Sequence, residues 1–529
     1  MHKYKYFLMF FSGIVFLLLW IYFPISFDNN DDQAMYFISS GVLSGTPSPN
    51  IIHTNLIIGI LLKKLFSCSG QINWYTIYLQ IVQMLALLTI YFIMIYNNKI
   101  NQFLSVLLLL FLILGFSTLC IVKIQYTVVA LLSCAAALFC IQSELSKRIK
   151  YLLALSFILL LILIRKDCFY IFLAFNLPIL FSKFTKKEMD KPYLLLLVMS
   201  FFLFGGLKYI NDNNREYKTD ETYKYFKVLD DVIDKPVKYT TADLELFHFT
   251  QDDMILLTAR YPGSSSYCSG NDIIRLSKKI KSKRTTTALI TEIKKFIADE
   301  RYMILVYVLS IFAVLLYSRK SYSKMFLNGF VCLGLLLYLA GTMRIPHRVT
   351  FPLLIYVSII NLYLFISEGH ENRNKTPILL MFLLLGIYKF YCTSKLIDLH
   401  KQYHANFTAC QNEINVHADD LFISLHDGLP VEYMNAWQAP LNLFPENNLI
   451  IAGWNVWAPD FPNILKLHGL KNITSDLRNK RDVFFLTNSE TYQKAFVNVM
   501  KQRYNLICHF EKVQKGFTLL HPQRLVFDN

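Results

Sequence analysis

Long runs of apolar residues, separated by short polar connectors, occupy most of the first three quarters of this chain. The runs show neither the strict alternation of a half-buried strand nor the one-sided stripe of a surface helix. Most approach the roughly 20 residues that a helix needs to cross the hydrocarbon core of a bilayer. The pattern predicts eleven membrane-spanning helices, at Tyr6–Phe27, Tyr75–Tyr96, Phe103–Ile121, Tyr126–Ile141, Tyr151–Ile164, Cys168–Phe181, Tyr193–Ile210, Met303–Tyr317, Phe326–Thr342, Phe351–Ile366 and Ile378–Cys392. The two runs beside Arg165 are only about 14 residues long, so a re-entrant hairpin is the alternative there.

Composition supports a membrane protein and excludes an ordinary soluble one. Of the 529 residues, 54% are hydrophobic and only 17% are charged. A water-soluble fold could not bury that much apolar surface. The net charge of +16 does not indicate nucleic-acid binding, because many Lys and Arg residues lie in short connectors where the positive-inside rule expects them.

The distribution of charge predicts the orientation of the chain. With a cytoplasmic N-terminus, every cytoplasmic connector contains Lys or Arg: NNKINQ, SELSKRIK, SKFTKKEMDK, SRKSYSK and SEGHENRNK. The loop at 28–50 falls on the opposite face and contains neither. We therefore expect a multi-pass protein with its larger loops on the outer face. The sequence shows no eukaryotic targeting tail, which favours a bacterial cytoplasmic membrane.

The chain divides into a membrane bundle at 1–392 and a non-cytoplasmic domain at 393–529. The bundle includes an outer loop at 28–74, where IIHTNLIIGILLKKLF is predicted to lie in the interface, and an outer loop domain at 211–301. The second part contains short β runs, LFISL, NLIIAGW, DVFFLTN, NLICHF and GFTLLHP, with the helical SETYQKAFVNVMKQRY among them. The fold class is thus an all-α polytopic membrane bundle followed by a small α/β domain. Cys410 and Cys508 fall in this domain and could form a disulfide or remain free thiols.

Three carboxylates follow the first predicted span directly, at Asp28, Asp31 and Asp32. A close pair of acids can act as a general base, since each raises the pKa of its neighbour, or can hold a divalent cation. The alternative is a solvated loop in which Asp32 caps a helix that begins at Gln33.

Cationic residues on the same predicted face run against the positive-inside bias. Membrane topology alone therefore does not explain their position. A lipid phosphate or pyrophosphate would explain it, because guanidinium groups bind phosphate bidentately. The alternatives are snorkelling to ordinary lipid phosphates, a structural role for His347, and helix capping by His53. The candidate phosphate-binding residues are His53, Arg165, Lys166, Arg344, His347 and Arg348.

The plan of the chain resembles the GT-C class of integral membrane glycosyltransferases. The segments that carry the resemblance are DDQAMYFISSGVLSG and RIPHRVTFP. It implies transfer of a sugar from a polyprenyl-phosphate or polyprenyl-pyrophosphate donor to a glycan, lipid or protein acceptor, with inversion at the anomeric carbon. It further implies Asp31 as the base, Asp32 as its partner or a ligand of Mg²⁺ or Mn²⁺, and donor phosphate binding by Arg165, Arg344 and Arg348. No clear DxD motif accompanies them, so the need for a cation stays open.

Three other functions remain open at the level of sequence. A polysaccharide repeat-unit polymerase or ligase also has many spans and outer arginines, but does not depend on acids directly after the first span. A transporter would show internal repeats and helix breaks at matched positions, and neither is found. A non-enzymatic receptor or assembly factor would leave the acids and arginines merely solvated.

Overall fold

The computed structural model describes residues 2–96, 101–185, 187, 190–214, 240–263, 268–281, 286–341, 345–367, 374–425, 428–445, 448–453, 456, 461–471, 473–479, 483–487, 489–513 and 517–528. Helices dominate these segments. In the first half they are α1 His2–Tyr22, α2 Asn30–Ser40, α3 Leu56–Cys68, α4 Trp74–Tyr96, α5 Gln102–Leu112, α6 Thr118–Val122, α7 Tyr126–Gln142, α8 Lys147–Ile164, α9 Cys168–Thr185 and α10 Lys191–Asp212. In the second half they are α11 Thr241–Glu245, α12 Gln251–Thr258, α13 Gly270–Lys281, α14 Thr286–Asp299, α15 Arg301–Tyr317, α16 Tyr322–Gly341, α17 His347–Ser367, α18 Thr376–Val416, α19 Phe461–Leu467, α20 Ile473–Asp476 and α21 Glu490–Tyr504.

Each of the eleven apolar runs contains a helix, which confirms a polytopic helical membrane protein. The first run was predicted to continue to Phe27, but α1 ends at Tyr22 and β1 covers Ser26–Phe27. Among the described residues, eight helices are long and apolar enough to cross a bilayer, and a ninth span arises if the bent pair α14 and α15 is counted as one. Helix α7 is apolar but shorter, at 17 residues, and α8 begins with the basic sequence KRIK. The predicted count of eleven is therefore approximate.

The two short runs beside Arg165 are longer in the structure than the sequence suggested. Helices α8 and α9 each contain 18 residues, which at 1.5 Å per residue gives about 27 Å. Helix α9 is long and apolar enough to cross the hydrocarbon core, whereas the basic first turn of α8 leaves it an apolar part of only about 14 residues.

Helix α7 is the centre of the bundle. Apart from Gln142 at its end, its residues are all buried, and it packs against α4, α8, α9 and α17. A helix that is apolar on all sides is expected at the core of a bundle. Its first two residues, Tyr126 and Thr127, consequently lie in the interior, where the other elements converge.

A short parallel pairing fixes the chain on either side of this centre. Strand β1, Ser26–Phe27, follows α1 and pairs with β2, Lys123–Ile124, which precedes α7. The backbone N–H of Asp28 donates to the carbonyl of Ile124 (2.9 Å), and Lys123 forms an ion pair with the Asp28 carboxylate (3.5 Å). The start of α2 is thereby held beside the start of α7.

The C-terminal part contains the small α/β domain that the sequence predicts. Strands β3 Leu421–Ser424, β4 Leu449–Ile451, β5 Val483–Leu486, β6 Cys508–Lys512 and β7 Gln523–Phe527 form one sheet in the order β4-β3-β5-β7-β6. The first three strands are parallel, and β7 is antiparallel to both of its neighbours. The segment GFTLLHP was predicted as a strand, but its described residues precede β7 instead. Cys410 and Cys508 are both free thiols.

A continuous helix and a helix–helix contact join this domain to the rest of the chain. Helix α18 runs without interruption from Thr376 to Val416, so the predicted domain boundary at residue 392 lies inside a helix. Helix α12, from the outer loop at 211–301, packs on α21. There Arg503 donates to the fully buried Asp253 carboxylate (2.6 Å).

Candidate active site

Helix α2 holds both candidate acids in its first turn. Its N-cap is Asn29, whose side-chain oxygen accepts a hydrogen bond from the backbone N–H of Asp32 (3.3 Å). It ends at Gly41, which adopts φ 76°, a left-handed conformation that glycine reaches without strain. The alternative of a solvated loop with a helix beginning at Gln33 is therefore wrong, because the helix begins three residues earlier and residues 31–40 are all buried.

Asp31 is paired with a guanidinium from the other half of the chain. Arg348, the second residue of α17, donates to its carboxylate. The Asp31 side chain is 3% exposed and that of Arg348 is 17% exposed. A buried carboxylate requires such a partner, because an unpaired charge away from water is costly.

Asp32 is completely buried and connects three helices. Its Oδ1 accepts hydrogen bonds from the Tyr75 hydroxyl of α4 (2.8 Å) and from the backbone N–H of Tyr126 at the start of α7 (3.0 Å). Its Oδ2 has no hydrogen-bond partner among the described residues. Burial raises the pKa of Asp32 well above its ordinary value, the Tyr75 hydrogen bond opposes that rise, and the charge of Asp31 adds to it. The protonated form of Asp32 is consequently favoured.

Arg165 approaches the same place from the connector between α8 and α9. Its Nη1 donates to the Tyr126 hydroxyl (2.9 Å) and to the Thr127 hydroxyl. The ring of His53 is stacked on that of Tyr126, with 6.1 Å between centroids and 13° between planes. Arg165, His53 and Asp32 therefore meet at the first two residues of α7.

His53 lies beside these groups. Its ring is solvent-accessible although protein atoms surround it closely, and its backbone adopts φ 67°. The pKa of His53 is lowered to about 4, chiefly by burial; Asp31 opposes this shift, and Arg165 and Arg348 add to it. His53 is thus neutral at physiological pH. It does not cap α3, whose N-cap is Asn55.

The remaining candidate cations lie elsewhere or outside the described residues. Lys166 forms an ion pair with Asp212 at the end of α10 (3.0 Å). His347 bonds through Nδ1 to Glu300 (2.7 Å). Arg344 is not among the described residues. The structure thus brings together Asp31, Asp32, His53, Arg165 and Arg348.

Four further residues belong to the site or support it, and the sequence reasoning missed them. Tyr75, Tyr126 and Thr127 stand at the starts of apolar runs, where an aromatic residue is expected at the membrane interface in any case. Glu300 is 1% exposed and accepts a hydrogen bond from the Thr350 hydroxyl. The sequence signal for Glu300 was a carboxylate directly before a span. The same residue also ends the segment ITEIKKFIADE, whose pattern predicts a helix on the membrane surface.

Protein groups engage both acids in this arrangement. Asp31 is engaged by Arg348, and the bonded oxygen of Asp32 already accepts two hydrogen bonds. Within the described ranges, no group of three or more His, Cys, Asp or Glu side chains is arranged to hold a metal ion. No step of the reaction proposed below uses one.

Comparisons with known proteins concern the fold. No protein-family model matches the chain, and no curated protein matches it. A crystal structure of ArnT from Cupriavidus metallidurans in the apo state is similar, with 10% identity, a TM-score of 0.41 and coverage of 97% of both chains. A structure of the same protein bound to undecaprenyl phosphate has 8% identity, a TM-score of 0.39 and the same coverage. These likenesses assign neither a reaction nor a substrate to this chain.

Proposed function

We propose that this chain is a membrane glycosyltransferase of the GT-C type, which transfers a sugar from a polyprenyl-phosphate or polyprenyl-pyrophosphate donor to an acceptor on the non-cytoplasmic face. The observation that carries the proposal is the buried pair of Asp31 and Arg348, with Arg165 and the neutral His53 beside it. The acids directly after the first span are part of this site. That position favours a GT-C type enzyme over a repeat-unit polymerase, which does not depend on them.

Two guanidinium groups are suited to hold the phosphate of the donor. Arg348 lies in the first turn of α17, where the helix dipole adds positive potential. Arg165 already donates to two neutral hydroxyls, and a phosphate can displace them because its negative charge makes a stronger bond with the guanidinium. The spans around them provide apolar surface for the polyprenyl chain.

Binding of the donor would also prepare the base. In the structure Arg348 is bound to Asp31, so a phosphate competes with that carboxylate for the same guanidinium. When Arg348 turns to the phosphate, Asp31 loses its partner, and its carboxylate oxygens become available to the proton of the acceptor hydroxyl. Burial raises the pKa of Asp32, which disfavours a second negative charge beside Asp31.

The reaction is a single displacement. An acceptor hydroxyl oxygen attacks the anomeric carbon, and the bond between that carbon and the donor phosphate oxygen breaks with its electron pair remaining on the phosphate. The proton of the hydroxyl passes to Asp31. The products are an inverted glycoside and polyprenyl phosphate or pyrophosphate, whose charge Arg165 and Arg348 stabilise.

The test is the Asp31→Asn variant in proteoliposomes, supplied with polyprenyl-phosphate hexoses and pentoses and with lipids and glycans of the source membrane. We expect transfer to fall by at least about 100-fold, the scale of general-base catalysis, with normal insertion. Asp398→Asn is the matched control, because Asp398 is exposed on α18. Transfer by Asp31→Asn at the control rate would exclude Asp31 as the base.

A further inference from the structure

A groove lies between the polar extension of α18 and the loop that follows β3. Its volume is about 540 Å³. The side chains that define its chemistry are His404, Thr408, Asn412, Asn435, Trp437 and Gln438.

Among the residues that the structure describes, the lining of the groove is uncharged, and a few amide and hydroxyl groups stand among a mostly apolar surface. Thr408 and Asn412 are exposed on one face of α18, and no hydrogen bond from either side chain to the described part of the protein is found. Asn435 uses its side-chain oxygen to accept from the backbone N–H of Trp437 (2.9 Å), which leaves its amide N–H groups for a ligand. Ala405 and Ala409 also line the groove, and their small side chains leave it open.

This combination matches an uncharged sugar. Amide and hydroxyl groups both donate and accept, as sugar hydroxyls do, and the Trp437 ring offers an apolar surface for the C–H face of a pyranose. A phosphate would call for cations, and an alkyl chain for a uniformly apolar wall. Within the described segments, the lining contains no Lys or Arg, and the polar groups of Thr408, Asn412 and Asn435 interrupt its apolar surface.

The groove is built onto the helix that carries the candidate base. The backbone N–H of Ala436 donates to the carbonyl of Ile25, just before β1 (2.9 Å). The Tyr36 hydroxyl of α2 donates to the carbonyl of Gln438 (2.8 Å), and Tyr36 lies about one helical turn beyond Asp32. Trp437 also packs edge-on against Trp20 at the end of α1 (6.2 Å). A ligand in the groove is therefore held by a loop that is fixed to α1 and α2.

We propose that this groove binds an uncharged sugar of the acceptor glycan. Its role in holding the acceptor rests on the proposed function, whereas sugar binding itself does not. The same loop would then position the acceptor relative to the first turn of α2.

The experiment is saturation-transfer NMR on the full chain in lipid nanodiscs free of sugar detergents. The probes are maltotriose, mannotriose and chitotriose, with trigalacturonic acid as the anionic comparison. At least one neutral trisaccharide should bind to the wild type and bind at least tenfold more weakly to Asn412→Ala. The same loss is expected in Ala409→Trp, which fills the groove. Asn406→Ala, an exposed amide on the same helix that does not line the groove, should bind normally.

Other outcomes overturn the proposal. Equal binding by Asn412→Ala, Ala409→Trp and the wild type would do so, as would preference for trigalacturonic acid. Absence of any neutral trisaccharide signal, with Ala409→Trp displacing lipid alkyl chains instead, would make the groove a lipid site. Asp31→Asn should bind the trisaccharide normally, so full transfer by that variant would refute the proposed function without touching the groove.

Discussion

The ion pair between Arg348 and Asp31 gives the most quantitative prediction. Replacing Arg348 by Met leaves a carboxylate that is 3% exposed without its guanidinium. Removal of one partner from a buried pair costs about 3–5 kcal/mol. Asp31→Asn in the same chain removes the stranded charge, so the double variant should be more stable than the sum of the two single effects, with a coupling energy on the order of 2 kcal/mol.

The assay is a double-mutant cycle of unfolding free energies for the protein in mixed micelles. A second cycle on Lys166 and Asp212 is the control. These two side chains are also within ion-pair distance, at 3.0 Å, but they are 34% and 47% exposed. Its coupling should be no more than about 1 kcal/mol. Additive effects at Arg348 and Asp31 would refute a buried pair, as would coupling equal to that of the exposed control.

Three other predictions follow from the contacts around this pair. Arg165→Lys keeps the charge but loses the planar fork, so the donor KM should rise about tenfold with a smaller change in kcat, as measured in steady-state transfer. Because the folded-state pKa of His53, about 4, lies below the 6.5 of a free histidine, the unfolded chain takes up the proton first as pH falls. Thermal stability should therefore decrease from about pH 6.5 towards pH 4, and His53→Phe should decrease less over that interval; identical pH profiles would show that His53 is not the cause. Glu300→Ala should remove the anchor of Thr350 and His347 on both sides of Arg348 and lower transfer at least tenfold, whereas Glu300→Gln, which still accepts those bonds, should retain most activity. Equal losses in the two variants would argue against a positioning role.

The membrane architecture could be predicted from the sequence because a single local property determines it. An apolar run of sufficient length has to become a helix in lipid, since no water is present to satisfy its backbone groups. The ends of the helices follow less directly from the apolar runs. Helix α8 begins at Lys147 rather than Tyr151, because the backbone continues in the interface beyond the apolar residues.

The site could be predicted only in its residue types. Acids and cations on one predicted face indicated Asp31 and Arg348. No local sequence pattern predicts that they pair, because they are 317 positions apart. Lys166 and Arg165 are adjacent in sequence, and only the fold directs one to Asp212 and the other to Tyr126. The start of α2 was misplaced because Asn29 and Asp32 both favour N-cap positions, and burial of α2 decided between them.

The most direct test of the central claim is native mass spectrometry of undecaprenyl phosphate binding to the wild type, Arg348→Met and Asp31→Asn. If the phosphate competes with Asp31 for Arg348, affinity should fall at least tenfold in Arg348→Met and should increase in Asp31→Asn, where the competing carboxylate is gone. Undiminished binding by Arg348→Met, or weaker binding by Asp31→Asn, would contradict a lipid-phosphate site at this ion pair.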